Sequence, residues 1–185
     1  NASPFLEVSI RQNNSHYHVS TQLVGDYNLP NVLAAASVGH YFGVPEEKIK
    51  TALNEYTPSN SRSQMMEKDG VRIIMDAYNA NPSSMRAAIE NFAALKEKNK
   101  ILILGAMAEL GAASIQEHKM IAELIGRYQW QEVVLVGGDF LRIDTPYQTF
   151  PDALETAKWY KKQHFRDCCL LIKGSRSTQM EKVIA

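Results

Sequence analysis

The chain has 185 residues, of which 45% are apolar and 22% are charged, the proportions of an ordinary soluble globular protein. Its 20 basic and 20 acidic residues cancel, so the charge balance gives no reason to expect a nucleic acid or an anionic membrane as a partner. No apolar run is long enough to span a bilayer, and the sequence does not lead us to expect a signal peptide at the start. The length allows one full domain and part of another.

The start of the chain predicts an excised piece of a longer protein. Asn1 and Ala2 resemble the remnant of an expression tag, and the chain does not begin with Met. We therefore leave these two residues out of the fold prediction.

The first third of the chain predicts a β-hairpin followed by two helices. Two alternating segments flank Asn13-Asn14, which suits a turn, and this pattern is typical of an antiparallel pair. Pro30 fits the first turn of a helix that Gly43 closes, and Pro45 with two following acids begins a shorter helix. The predicted strands are residues 5–10 and 16–23, and the predicted helices are residues 30–43 and 45–56. Residues 57–61, Thr-Pro-Ser-Asn-Ser, predict a linker.

Beyond the linker, strands and helices alternate. Asp69-Gly70 lies between two strand-like segments and predicts a hairpin. Continuous apolar runs that alternate with amphipathic helices predict a mostly parallel sheet covered on both faces, which is an α/β, Rossmann-like fold in three layers. The predicted strands are residues 63–68, 71–75, 100–104, 133–137 and 168–172. The predicted helices are residues 83–95, 114–127 and 152–164, with a last short helix from Thr178.

Four loops leave the carboxyl ends of these strands and are expected to converge, because such loops share one edge of a parallel sheet and ligands bind there. They are DAYNANP (76–82), GAMAELG (105–111), GGDF (137–140) and KGSRS (173–177).

The loop that begins at Asp76 is the leading candidate for a site. Asp76 ends a strand, as does the acid that accepts ribose hydroxyls in nucleotide-binding sheets of this type. Its alternative role is to cap the following helix. Asn81, directly before Pro82, is the better cap and leaves Asp76 available for a ligand. Asn79 and Asn81 are favoured as turn formers when each is taken alone.

Three cations are candidates for binding an anion, each with a structural alternative. Arg62 is a solvated linker charge unless it faces the same edge, where its planar fork would suit a phosphate. Lys173 and Arg176 lie beside a predicted helix N-terminus, where they either receive an anion or serve surface solubility. The chain contains no G-x-x-x-x-G-K-[ST] phosphate loop.

The histidines and cysteines do not predict a catalytic or metal site. His16 and His18 share a strand face, but no third ligand lies near them in sequence. His40, His118 and His164 fall on predicted helices and are expected to be exposed or half-buried. Adjacent cysteines in a strand point to opposite faces, so Cys168 and Cys169 are expected to be buried, reduced thiols of a cytoplasmic protein.

The sequence resembles the Mur ligase family from about Ser3 to the end. DAYNANP, followed by Ser84-Met85-Arg86-Ala87-Ala88, is similar to the signature of family members that add D-alanyl-D-alanine to UDP-N-acetylmuramoyl-tripeptide. The supporting segments are GDYNLPNVLAAA (25–36), the arginine of SNSRSQ (59–64), LGAMAELG (104–111), Glu117-His118 and LIKGSRSTQME (171–181). The sequence departs from the family at Tyr27, at Ala106, where an aspartate is common, and at Ala112-Ala113.

The resemblance implies a domain organisation and a set of nucleotide-binding residues. Residues 1–57 would be the tail of a central ATPase domain, and residues 58–185 the C-terminal domain that closes over the nucleotide. By the family's pattern Asn28 and Asn31 would lie by the adenine, Arg62 would reach the phosphates and Asp76 would hold the ribose. The further substrate-binding or loop candidates are Tyr78, Asn79, Asn81, Lys173, Ser175 and Arg176.

The resemblance also implies chemistry for the full enzyme. ATP, with Mg²⁺, would phosphorylate the tripeptide carboxylate, and the dipeptide amine would then attack the acyl phosphate, in the synthesis of peptidoglycan precursors. The phosphate loop and the metal ligands of the family would lie upstream, so no catalytic residue and no metal site are expected here, and this chain alone is expected to be an inactive monomer. The alternatives are another amino-acid ligase of the superfamily and a non-catalytic Rossmann-like binding module.

Overall fold

The computed structural model describes residues 4–12, 15–59 and 61–185 of the chain. The chain divides after Ser59 into two compact units, close to the boundary at residues 57–58 that the sequence predicts. The predicted turn at Asn13-Asn14 lies outside the described residues.

The smaller unit is a hairpin with two helices. Its strands are β1 (Phe5–Gln12) and β2 (Ser15–Val24), and its helices are α1 (Leu29–Tyr41) and α2 (Glu46–Glu55). The strands pair antiparallel, with Val8 opposite Val19, as their alternating pattern predicts. A small apolar core forms because alternate strand residues meet the buried faces of both helices. Its buried residues are Leu6, Val8, Ile10, Tyr17, Val19, Val32, Ala36 and Ile49.

The larger unit contains a six-stranded sheet. Its strands are β3 (Gln64–Lys68), β4 (Val71–Asp76), β5 (Lys100–Gly105), β6 (Glu132–Val136), β7 (Gln148–Phe150) and β8 (Cys168–Lys173). Its helices are α3 (Pro82–Ala94), α4 (Ser114–Ile125) and α5 (Ala153–Gln163). The strand order is β3-β4-β8-β5-β6-β7. Only β3 runs antiparallel to its neighbour, so the predicted mostly parallel α/β sheet is confirmed.

Strand β8 is the last strand in sequence and lies at the centre of the sheet, between β4 and β5. All six of its residues are buried, which explains why its sequence is an uninterrupted apolar run up to Lys173. The register places Asp76 opposite Lys173, so the final positions of β4 and β8 are neighbours. The chain's return to the centre therefore brings the loops after β4 and β8 together.

One prediction for the larger unit needs correction, and one strand was not predicted. The short helix expected from Thr178 is instead a pair of 3-10 turns, Arg176–Thr178 and Met180–Ile184, separated by Gln179 in the left-handed region at φ 49°. Strand β7 was not predicted, because its three residues are largely exposed and carry no apolar run. It adopts an extended conformation because it pairs with β6.

Candidate functional site

The carboxyl ends of β4, β5, β6 and β8 lie at one edge of the sheet, because these strands are parallel neighbours. Lys173 stands in register with both Asp76 of β4 and Leu104 of β5. The four loops that the sequence analysis singled out therefore share this edge, as expected for an open parallel sheet.

A charged pair joins the ends of β4 and β8. The ammonium of Lys173 donates to Asp76 Oδ2 at 2.6 Å and to the backbone oxygen of Asn79 at 3.1 Å. The Lys173 side chain is 3% exposed and that of Asp76 is 13% exposed. The alternative that Lys173 serves surface solubility is therefore wrong, because a buried ammonium of this kind is held by its partners and not by water.

Asp76 has structural partners as well as a place at the edge. Besides Lys173, the backbone N–H of Ser63 donates to Asp76 Oδ1 at 3.2 Å. We expected that Asp76 would have no structural partner once Asn81 capped the helix. The two hydrogen bonds to Asp76 correct that expectation. Asn81 does cap α3, since its side chain accepts from the Ser84 N–H at 2.8 Å and Ser84 Oγ accepts from the Asn81 N–H. Asp76 is nevertheless engaged through both carboxylate oxygens.

Arg62 is exposed, and its guanidinium lies on the ring of Tyr78. Its guanidinium carbon is 3.5 Å from the ring centroid, a cation–π contact that restricts an otherwise long and mobile side chain. Ser61 and Ser63, on either side of Arg62, have φ of 57° and 46°, and the Ser61 backbone oxygen accepts from the Ala77 N–H at 2.8 Å. Non-glycine residues adopt such angles at an energetic cost, which is common at ligand sites. The Arg62 backbone is therefore fastened to the loop after β4.

The asparagines of this loop act as turn formers. Asn79 Oδ1 accepts from the Ala80 N–H at 2.8 Å, and the Asn79 backbone oxygen accepts from Lys173. Together with the Asn81 cap, these bonds account for why two asparagines follow the strand.

The loop after β8 contributes one buried and one exposed candidate. Ser175 is buried, its N–H donates to the Ala106 oxygen at 3.2 Å, and its hydroxyl lies 3.0 Å from that of Ser177. Arg176 is exposed and forms an ion pair with Glu181 at 3.3 Å. Exposed pairs of this kind are weak, so the guanidinium of Arg176 is available to other anions.

Asn28 and Asn31 form a separate group in the smaller unit. Asn28 is buried at the start of α1, and its Nδ2 donates to the Val24 oxygen at 2.9 Å. Asn31 is in the first turn of that helix and donates to Asn28 Oδ1 at 3.2 Å. The two side chains that the resemblance assigns to adenine are therefore hydrogen-bonded to each other.

His118 is a residue that the sequence analysis assigned wrongly. It is fully buried, not exposed or half-buried. Its Nδ1–H donates to the Ser114 oxygen at 2.7 Å, and Nε2 accepts from the Met107 N–H at 3.0 Å. Its ring also meets that of Phe140 edge to face, with centroids 4.6 Å apart. His118 therefore supports the loops after β5 and β6 from below the edge.

A cavity of about 370 Å³ opens between the loops after β5, β6 and β8 and the start of α5. No single segment predicted it, because its wall comes from four separate parts of the chain. Its lining includes Met107, Gly138, Asp152, Ser175, Ser177 and Lys182.

Titration behaviour differs between the edge and the core. Hydrogen bonds from Ser114 and Arg142 lower the pKa of Asp139 in the loop after β6. Burial raises the pKa of Cys169 to about 11. Cys168 and Cys169 are free and buried, which confirms the prediction of reduced core thiols.

The described residues form neither a metal-binding cluster nor a membrane-spanning helix. No three of their His, Cys, Asp or Glu side chains come together to hold a metal ion. None of the described helices is both long and apolar enough to cross a bilayer.

Comparison with known proteins gives consistent matches. A family model described as "Mur ligase, glutamate ligase domain" matches residues 61–176. A UDP-N-acetylmuramoyl-tripeptide–D-alanyl-D-alanine ligase from Buchnera aphidicola is 33% identical over 175 residues, which cover 90% of this chain and 38% of that protein. The chain spans about a quarter to two fifths of the length of the curated relatives it matches.

Two solved structures share the fold. A crystal structure of MurF from Acinetobacter baumannii superposes with a TM-score of 0.85 at 25% identity, covering 98% of this chain and 42% of that one. The crystal structure of MurF ligase from Thermotoga maritima in complex with ADP superposes with a TM-score of 0.82 at 22% identity, covering 100% of this chain and 43% of that one.

Proposed function

The chain belongs to the Mur ligase family, and from this premise we propose that it is the C-terminal part of an ATP-dependent ligase that adds D-alanyl-D-alanine to UDP-N-acetylmuramoyl-tripeptide. In this proposal residues 1–57 are the tail of the central ATPase domain and residues 58–185 are the C-terminal domain. The enzyme would act in the cytoplasm, as a monomer, in the synthesis of peptidoglycan precursors.

The observation that carries the proposal is the joint fastening of Arg62 and Asp76 at the carboxyl edge. They are separated in sequence by a whole hairpin. Yet the Ser63 N–H bonds to Asp76, and the Ala77 N–H bonds to the Ser61 oxygen. A cationic fork and a carboxylate carried by segments that are joined in this way suit the phosphate and the ribose of one nucleotide. The ADP complex of a structural neighbour supports this interpretation.

We assign nucleotide contacts residue by residue. Arg62 binds a phosphate, and Tyr78 holds its guanidinium in place. Asp76 accepts hydrogen bonds from the ribose hydroxyls. A carboxylate oxygen accepts more than one hydrogen bond, so each oxygen of Asp76 keeps acceptor capacity beyond its present partner. Asn28 and Asn31 bind the adenine, for which their amide groups offer both donors and acceptors.

The remaining candidates have different parts. Asn79 and Asn81 shape the turn that presents Asp76, and Asn81 caps α3. Ser175 and Arg176 lie in the loop after β8, where the exposed guanidinium of Arg176 suits a carboxylate or phosphate of a substrate.

The chemistry of the whole enzyme consists of two transfers. A carboxylate oxygen of the tripeptide takes the γ-phosphoryl group of ATP, which leaves ADP. The dipeptide amine then attacks the acyl carbon, and phosphate departs as the amide forms. Such reactions depend on positioning and on neutralising negative charge. The described residues would supply Arg62 for this purpose, and in this proposal other parts of the full-length protein would supply the phosphate loop and the Mg²⁺ ligands.

The activity is tested by phosphate release from the full-length parent protein. We expect release only when ATP, the UDP-linked tripeptide and D-alanyl-D-alanine are all present. Release that instead depends on a single amino acid, such as D-glutamate or a diamino acid, would assign the chain to another ligase of the superfamily. No release under any combination would favour a non-catalytic module.

The domain assignment is tested with the 185-residue chain by itself. Without a phosphate loop, we expect no ATP turnover and a dissociation constant for ADP in the millimolar range or weaker, about −4 kcal/mol of binding free energy or less favourable. Micromolar binding of ADP in titration calorimetry would show that this chain holds a complete nucleotide site.

A further inference from the structure

The buried ion pair between Lys173 and Asp76 is an unusual choice for the centre of a sheet. Lys173 follows five residues of β8 that are apolar and buried, Cys168–Ile172, and only the last position of the strand carries charge. Burying an ammonium and a carboxylate costs several kcal/mol per ion, which their attraction recovers only in part. An apolar pair would hold β4 against β8 at least as well. Sheet stability alone therefore does not explain the charges.

The position of the pair indicates what it does. Both residues occupy the final rung of the parallel ladder, where the strands give way to the loops of the carboxyl edge. The ammonium also donates to the Asn79 oxygen, three residues beyond Asp76. Lys173 thus binds the strand end and the loop that follows it, and it fixes the direction of the Asp76 carboxylate from the interior side.

Lys173 also compensates the negative charge of Asp76. An unpaired carboxylate near Arg62 would repel a polyphosphate and would compete with it for the guanidinium. With Lys173 at 2.6 Å, the charge of Asp76 is compensated, and the positive charge of Arg62 remains for an anion. The carboxylate oxygens still accept hydrogen bonds from neutral hydroxyl groups.

We propose that Lys173 is a positioning residue for the nucleotide: it orients Asp76 towards the ribose and cancels the charge that would repel the phosphates, without contacting the nucleotide itself. This inference rests on the proposed function, since it concerns how the same site is held. It predicts that the effect of Lys173 on nucleotide binding passes mainly through the carboxylate of Asp76, the nearer of its two partners.

A double-mutant cycle in the full-length parent protein tests this. The variants are Lys173→Met, Asp76→Asn and the two combined, and the readouts are KM for ATP and the dissociation constant of ADP. Each single change is expected to weaken nucleotide binding by about tenfold or more. The combined variant is expected to bind no more weakly than Asp76→Asn alone, because Lys173 then has no carboxylate to position. Factors that multiply in the combined variant would overturn the proposal.

Folding of the variants is controlled separately. If Lys173→Met does not fold because it leaves Asp76 buried and unpaired, the comparison of Asp76→Asn with the combined variant still decides, since both lack that charge. Equal affinities support the proposal, and a further loss on removing Lys173 contradicts it. Lys158→Met is the matched control, because Lys158 pairs with Glu155 at the same 2.6 Å but is exposed. We expect it to leave KM for ATP unchanged.

The outcome also separates this inference from the proposed function. If Arg62→Ala and Asp76→Asn both leave ATP use unchanged, the nucleotide site itself is misplaced. If those two variants lose affinity while Lys173→Met retains it, the site stands and only the role of Lys173 is refuted.

Discussion

The two halves of the carboxyl edge hold their loops by different chemistry. On the side of β4 and β8, the loops are joined by an ion pair, Lys173 with Asp76. On the side of β5 and β6, an imidazole has the corresponding role, since His118 Nε2 accepts from the Met107 N–H and the ring packs against Phe140. A sheet edge can therefore be made rigid without buried charge. The buried ion pair is in the half where we propose that the nucleotide binds.

The largest expected effect comes from breaking the charged half. Lys173→Met is expected to lower the free energy of unfolding by about 3–5 kcal/mol, because it leaves the carboxylate of Asp76 buried without its partner. Lys158→Met removes a pair of equal length whose lysine is 69% exposed and is expected to cost less than about 1 kcal/mol. Urea denaturation of both variants measures the difference. Similar losses would show that burial does not strengthen the pair.

The half formed by the loops after β5 and β6 is tested where these loops approach each other closely, at Gly138 and Ala106. A Cβ on Gly138 would lie 2.5 Å from the Cβ of Ala106. Gly138→Ala is therefore expected to cost about 1–3 kcal/mol beyond the backbone strain of its positive φ. Gly111 is also at positive φ, but a Cβ there would meet nothing within 4 Å, so Gly111→Ala isolates the strain. If the two variants melt alike, the contact with Ala106 is not tight.

Loss of the His118 hydrogen bond is expected to lower the free energy of unfolding by less than Lys173→Met or Gly138→Ala does. His118→Leu leaves the Met107 N–H buried without its acceptor, at a cost of about 1–3 kcal/mol. His118→Gln places an amide oxygen near the position of Nε2 and is expected to recover part of that loss. Thermal unfolding of the two variants decides, and equal destabilisation would assign the role of His118 to packing against Phe140.

The smallest loss of stability is expected from removing a helix N-cap, because both halves cap a helix with a side-chain oxygen. Asn81 caps α3 after β4, and Asp152 caps α5 by accepting from the N–H groups of Leu154 and Glu155. Asn81→Ala and Asp152→Ala are each expected to cost about 1 kcal/mol. Denaturation midpoints that differ strongly between them would show that the contrast between the halves extends to their helices.

Much of the fold could be predicted because it depends on local pattern. The uninterrupted apolar runs of β5, β6 and β8 indicate buried parallel strands, Asp69-Gly70 indicates the first hairpin of the larger unit, and Asn81-Pro82 indicates a helix start. Each signal lies within a few residues of the feature that it predicts. Strand β7 had no such signal, because its extended conformation depends on pairing with β6 and not on its own sequence.

The arrangement of the site could be predicted only in part. Its edge follows from the parallel sheet, and the sequence already singles out Arg62 and Asp76, although their role in binding remains a prediction. The bond between Asp76 and Lys173 joins residues 97 positions apart and depends on the register of β4 against β8. The burial of His118 depends likewise on how α4 packs beneath two loops. Neither follows from residue type or spacing.

The position of the cysteines in β8 makes the central strand measurable by chemical labelling. Cys168 and Cys169 are the only cysteines in the chain, they are 5% and 2% exposed, and β4 and β5 flank them on both sides. Their side chains project from the faces of the sheet, so a thiol reagent reaches them when the packing over this strand opens. Lys173 lies at the other end of the same strand, so the labelling rate reports how often the core around the strand that carries Lys173 opens.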